Sequence, residues 1–158
     1  MHADDITIST PRGGAQVPRC ITSVTGTGKL SDGHSLWVAV EFEAKEGGSR
    51  ILFSEQAEMN DGTWQADRVD VGGKGQALNS YTLTAVDVDQ ATNAMLHSTV
   101  VDMSFTPDED TQGPGKDIWR ISYAGYPSGA KPVAQVSVTR AEGSDKSCKE
   151  TRAAAKKP

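Results

Sequence analysis

Three histidines, two cysteines and one short aromatic cluster are the residues of this chain best able to do chemistry. Imidazole titrates closest to neutrality, so His2, His34 and His97 are the first candidates for acid–base work. His2 belongs to a terminal stretch, His34 to a predicted turn and His97 to a predicted strand. A hydrolytic site would need His97 beside a serine, cysteine or carboxylate brought in from elsewhere, because no Gly-x-Ser-x-Gly elbow occurs. The plainer use of His97 is as a strand residue that meets solvent or makes one hydrogen bond. Cys20 and Cys148 flank nearly all of the predicted elements. In an exported domain they would form one disulfide, and so long a closed loop is worth about 4–5 kcal/mol in the chain-entropy description. The alternative is two unpaired thiols, since sequence separation does not set the distance between Cα atoms.

The aromatic cluster offers binding instead of catalysis. Trp119, Tyr123 and Tyr126 crowd one region, with Arg120 among them and Pro127 after. Flat rings beside polar groups stack on sugar faces or anchor a protein partner. Trp37 joins the set, because period-2 alternation places it opposite Leu36, Val38 and Val40, where it needs a covering loop or a ligand. Packing competes for all of these rings, since a chain with three Trp and three Phe needs them inside.

Acidic side chains suggest a calcium site. Asp87 and Asp89 flank a predicted turn, with Asp102 across the expected hairpin, and a cation would relieve their repulsion. Ordinary solvated acids are the alternative. Asp108-Glu109-Asp110-Thr111-Gln112-Gly113 begins like an EF-hand loop, but Trp119 stands at the twelfth position, where a bidentate glutamate is required. Gly26-Thr27-Gly28-Lys29 ends like a P-loop, yet Ser23 replaces its first glycine and Leu30 replaces the magnesium-binding Ser/Thr. No helix N-terminus is expected there to meet a phosphate, and Gly72-Gly73-Lys74-Gly75 fails on the same grounds. The chain has no histidine–cysteine cluster of zinc-ligand spacing. The expectation is therefore no catalytic residue, no resident metal and no cofactor.

The elements that would position these residues are strands. Leu36–Phe42 alternates most clearly, and similar runs cover Ile6–Ser9, Cys20–Thr27, Leu36–Glu43, Arg50–Gln56, Thr63–Val71, Tyr81–Val88, Met95–Phe105, Ile118–Tyr123 and Val133–Arg140. Asn60-Asp61-Gly62 is a hairpin turn signal. In Tyr81–Val88 the apolar phase slips from Tyr81, Leu83 and Ala85 to Val86 and Val88, which a bulge or burial on both faces would explain. The 158 residues, 36% of them apolar, suffice for one domain, expected over 6–142. A disordered start (1–5) and a flexible polar tail (143–158) would flank it. A net charge of −5 argues against nucleic acid, and no apolar run is long enough to span a bilayer. Met1-His2-Ala3-Asp4-Asp5 lacks the features of a secretory signal. The expected setting is cytoplasmic, or extracytoplasmic if the chain is a piece of a longer cell-surface protein.

Three phrases, in order, resemble bacterial immunoglobulin-like modules. Ile6–Val17 is similar to their opening strand and Pro-x-x-Gly turn. Val24-Thr25-Gly26-Thr27-Gly28 with Leu36-Trp37-Val38-Ala39-Val40 resembles their second and third strands. Asp61-Gly62-Thr63-Trp64 resembles their Asp-Gly-x-Trp signature, and Tyr81–Val88 the long strand after it. The resemblance covers about residues 6–105 and implies an all-β, immunoglobulin-like two-sheet antiparallel sandwich of about 8–9 strands. It implies a non-catalytic accessory domain for recognition or spacing in a bacterial cell-surface or multidomain protein, with a protein or glycan partner. It transfers no binding residues. The usual intersheet cysteines are missing, and the stretch from Thr106 to Pro132 is longer than such a module needs. The long Asp108–Pro127 loop is the first place to look for partner binding. A carbohydrate-binding module using Trp119, Tyr123, Tyr126 or Trp37 is the second expectation, and a hydrolase with a noncontiguous site the third.

Overall fold

The computed structural model describes residues 5–43, 48–72, 79–103, 122–143, 146 and 148. They are mostly β. The strands are β1 (Thr7–Thr10), β2 (Gln16–Val17), β3 (Cys20–Ile21), β4 (Val24–Thr27), β5 (Ser35–Glu43), β6 (Ser49–Gln56), β7 (Glu58–Asn60), β8 (Thr63–Ala66), β9 (Val69–Asp70), β10 (Ser80–Val88) and β11 (Ala130–Arg140). One helix, α1 (Gln90–Met103), follows β10. No helix among the described residues is long and apolar enough to cross a membrane.

Two larger sheets face one core. The first has the order β1-β4-β8-β7 and the second β2-β11-β10-β5-β6, while β3 and β9 pair separately. All pairings are antiparallel except β2 with β11. Alternation along β5 sends Leu36, Val38 and Val40 toward Val24, Trp64 and Ala66 of the first sheet. Tyr81, Leu83 and Ala85 of β10 join the same cluster. The turn at Asp61-Gly62 has positive φ at both residues, which lets β7 fold straight back onto β8.

The opposite face of the second sheet is buried as well. Trp37, Ala39, Ile51, Phe53, Val86 and Val88 form a second apolar cluster with Leu96 of α1 and Ala130. Burial on both faces accounts for the phase slip in β10, and a bulge is also present. Ala85 pairs with Ala134 but Val86 with Pro132, so β11 passes over Val133 there. β2 pairs only with Thr139 and Arg140, so Pro132 removes no ladder donor on that side.

The region expected as a strand over Met95–Phe105 is the main correction. Residues 90–103 form α1 instead. Its start is set by Asp89, whose side-chain oxygen accepts the Thr92 N–H at 2.8 Å while its carbonyl accepts the Asn93 N–H at 2.9 Å. Asn93, Leu96 and His97 recur at helical spacing and all meet the sheet or its edge residues. Of the expected strand Ile118–Tyr123, residues 118–121 lie outside the described residues, and Tyr123 makes an isolated antiparallel bridge to Ile51.

The end of the chain holds the disulfide weighed above. Cys148, placed in the flexible tail by sequence, is buried and disulfide-bonded to Cys20. Its N–H donates to Asp70 Oδ1 at 2.8 Å, so the chain past Gly143 returns to the small β3–β9 sheet.

Candidate functional site

A polar cluster lies at one end of the second sheet, where β5 begins and β6 and β10 end. Ser35 pairs with Val88 and Leu36 with Asp87, which brings the residue before β5 beside the last turn of β10. His34 Nδ1 and Asp87 Oδ1 stand 2.6 Å apart across 53 residues of sequence. Asp87 is well covered and His34 about one-third exposed. With its proton on Nδ1 the His34 ring would donate to Asp87 and keep Nε2 as an acceptor. His34 edges an open groove of about 650 Å³ lined also by Ser35, Gln56, Glu58 and Met59. Asp–His pairing of this kind orients an imidazole as an acceptor or base. A hydrolytic relay additionally needs a nucleophile aligned on that imidazole.

Next to this pair, Asp89 caps α1. Its carboxyl is held below the ordinary carboxylate range, chiefly by the Thr92 hydrogen bonds, with a smaller contribution from the nearby His34. Gly129 makes this approach possible, because a Cβ there would collide with Thr92 Oγ1 and the Asp89 carboxylate. The calcium expectation loses its geometry here. Asp87 is paired with His34 and Asp89 with Thr92, while Asp102 lies on α1, not across a hairpin, and its side chain lies outside the described residues.

The aromatic candidates gather around Phe53. Trp37 meets it edge-on at 6.4 Å, Tyr123 at 5.6 Å and Tyr126 at 6.2 Å. Trp37 is only 2% exposed, and its Nε1–H donates to Asn93 Oδ1 at 2.8 Å. α1 is therefore the cover that its position required, and no ring face is left for a sugar. Trp119 and Arg120 lie outside the described residues. His97 sits on α1, not on a strand, where it contacts the Gln56 side-chain oxygen and meets the Trp37 ring at 5.2 Å. These contacts seat the helix.

Sequence reasoning missed a second polar center. Glu41 Oε2 accepts from Thr84 Oγ1 at 2.6 Å, Gln135 Nε2 at 2.9 Å and Tyr126 OH at 3.0 Å. Glu41 and Thr84 share the face of Trp37 by strand alternation, a placement legible only once β5 and β10 are known to be neighbors. Burial, with the Glu41 carboxylate adding to it, pushes the Tyr126 hydroxyl up to about 12. The folded state holds this proton more tightly than the unfolded chain, whose phenol titrates near 10. The stabilization is intact below about 10 and is lost as pH rises through about 12. A near-UV phenolate titration should show a late step near pH 12 that Tyr126→Phe removes. A titration complete by about pH 11 for all tyrosines would contradict this placement.

No family model, curated protein or solved structure matches the chain.

Proposed function

We propose that this chain is a non-catalytic, immunoglobulin-like accessory domain for recognition or spacing in a bacterial cell-surface or multidomain protein. Strand order is the observation that carries this reading. The order β1-β4-β8-β7 corresponds to the A-B-E-D sheet of an immunoglobulin sandwich, and β11-β10-β5-β6 to G-F-C-C′. β2 then reads as a segment of the first strand that crosses to pair with G. On this assignment His34 ends the B–C connection, and residues 89–129, including α1, form a long F–G insertion. Both connections lie at the end of the sandwich that variable domains use for binding. The groove edged by His34 is the recognition surface in this reading. A disulfide between Cys20 and Cys148 suits an exported setting.

The chain should show no turnover above buffer on chromogenic ester, glycoside and peptide panels. Turnover abolished by His34→Ala, with the fold intact, would replace this reading with a hydrolase. Tryptophan fluorescence should likewise not respond to a glycan panel. A saturable response lost in Tyr123→Ala would instead favor a carbohydrate-binding module.

A further inference from the structure

We infer that Cys20, Cys148 and Asp70 form a redox-gated site for a zinc-type divalent cation. Their ligand atoms, two Sγ and a carboxylate oxygen, all lie within 4.8 Å of one another. Among the described residues, no other group of His, Cys, Asp or Glu converges in this way. The three come from distant parts of the chain. Cys20 and Asp70 are direct cross-strand partners in the β3–β9 pair, and Cys148 arrives 128 residues after Cys20. The 2.8 Å bond from the Cys148 N–H to Asp70 Oδ1 keeps the carboxylate beside the second cysteine.

In the oxidized chain the disulfide occupies both sulfurs, and no thiolate is available to a metal. A dithiol reductant opens the site. It supplies two electrons and two protons and becomes a disulfide itself, while the Cys20–Cys148 bond breaks to give two thiols. Both cysteines are 6% exposed, so a cation held between them would be shielded from solvent. It takes the two sulfurs as thiolates, the thiol protons leave to solvent, and the Asp70 carboxylate supplies the third ligand.

Two thiolates and one carboxylate suit zinc better than calcium or magnesium, which prefer oxygen ligands alone. Three protein ligands leave the fourth tetrahedral position to water. With zinc–sulfur bonds of about 2.3 Å, tetrahedral binding would set the sulfurs about 3.8 Å apart. The same covalent closure between β3 and the chain end would therefore be replaced by a metal closure under reducing conditions.

Cobalt(II) added to the whole chain, after reduction with a phosphine, tests the site. One equivalent should bind, with thiolate-to-cobalt absorption and tetrahedral visible bands, and zinc(II) should displace it. The oxidized chain should give neither signal. Cys20→Ser should abolish the thiolate band. Asp70→Asn still accepts the Cys148 N–H, so it separates ligation from scaffolding, and it should weaken cobalt binding about tenfold or more. A reduced chain without thiolate absorption, or unchanged affinity and spectrum in Asp70→Asn, would overturn the proposal. So would a reduced chain that loses its β circular dichroism and does not regain it with zinc.

Discussion

Trp37→Ala is expected to lower folding stability by about 3–5 kcal/mol, as for other large aromatic residues removed from cores. The side chain lies between the second sheet and α1 with 2% of its surface exposed. It meets Phe53 at 6.4 Å and His97 at 5.2 Å. Truncation would open a cavity at the junction of two elements and leave the Asn93 side-chain oxygen without the donor that it meets at 2.8 Å. Domains are stable by only about 5–15 kcal/mol in total, so a loss of this size is a substantial part of the whole. At about 2–4 °C per kcal/mol for a chain of this length, the melting temperature should fall by roughly 6–20 °C. Trp37→Phe keeps a ring and removes the N–H, and should cost about 1–2 kcal/mol. Urea unfolding of the two variants beside wild type reads both effects. A loss under about 1 kcal/mol for Trp37→Ala would mean that α1 is not seated on this ring.

The contrast between Trp37 and α1 marks where the sequence stops being legible. Alternation in Leu36–Phe42 correctly divides the faces of β5, and Asp61-Gly62 correctly marks a hairpin. Both signals are local, and each follows from backbone sterics alone. The helix was hidden because its stretch reads two ways. Thr99, Val100 and Val101 are β-branched, and Met95, His97, Val101 and Met103 also fit a period of two. Tertiary burial decided for the helix, since Val86, Val88 and Trp37 need a cover on the outer face of the sheet. The slip in β10 was the available clue, together with Asp89 as a cap. His34–Asp87 is a different case. The pair is 53 residues apart and depends on the register of β5 against β10, which no local pattern specifies. The Cys20–Asp70–Cys148 cluster depends in the same way on the pairing of β3 with β9 and on the return of the chain end.

Gly26→Ala should be nearly as damaging as loss of Trp37, although alanine is the smallest possible side chain. Gly26 sits within β4, paired with Ile8 of β1 on one side and with Trp64 of β8 on the other. A Cβ there would stand 2.5 Å from Cε2 and Nε1 of Trp64, and closer still to the carbonyl oxygen of Thr7. That same oxygen accepts the Trp64 Nε1–H at 3.1 Å. Two effects compete. Replacing glycine in a strand reduces the entropy lost on folding, a gain of about 0.5–1 kcal/mol. Against it, the methyl group must displace a fully buried indole or separate two paired strands, and overpacking of this kind costs about 1–3 kcal/mol. Breaking the buried indole hydrogen bond adds about 1–3 kcal/mol. The clash wins, with a net loss of about 3 kcal/mol. Gly13→Ala is the matched control, because a methyl group at Gly13 would meet nothing within 4 Å and the residue's φ is not positive. It should stay within about 0.5 kcal/mol of wild type. Denaturant midpoints for the two variants, with near-UV dichroism to follow Trp64, make the comparison. A Gly26→Ala midpoint equal to that of Gly13→Ala would mean that β1 does not pack on β4 as closely as the Thr7 carbonyl and the Trp64 indole require.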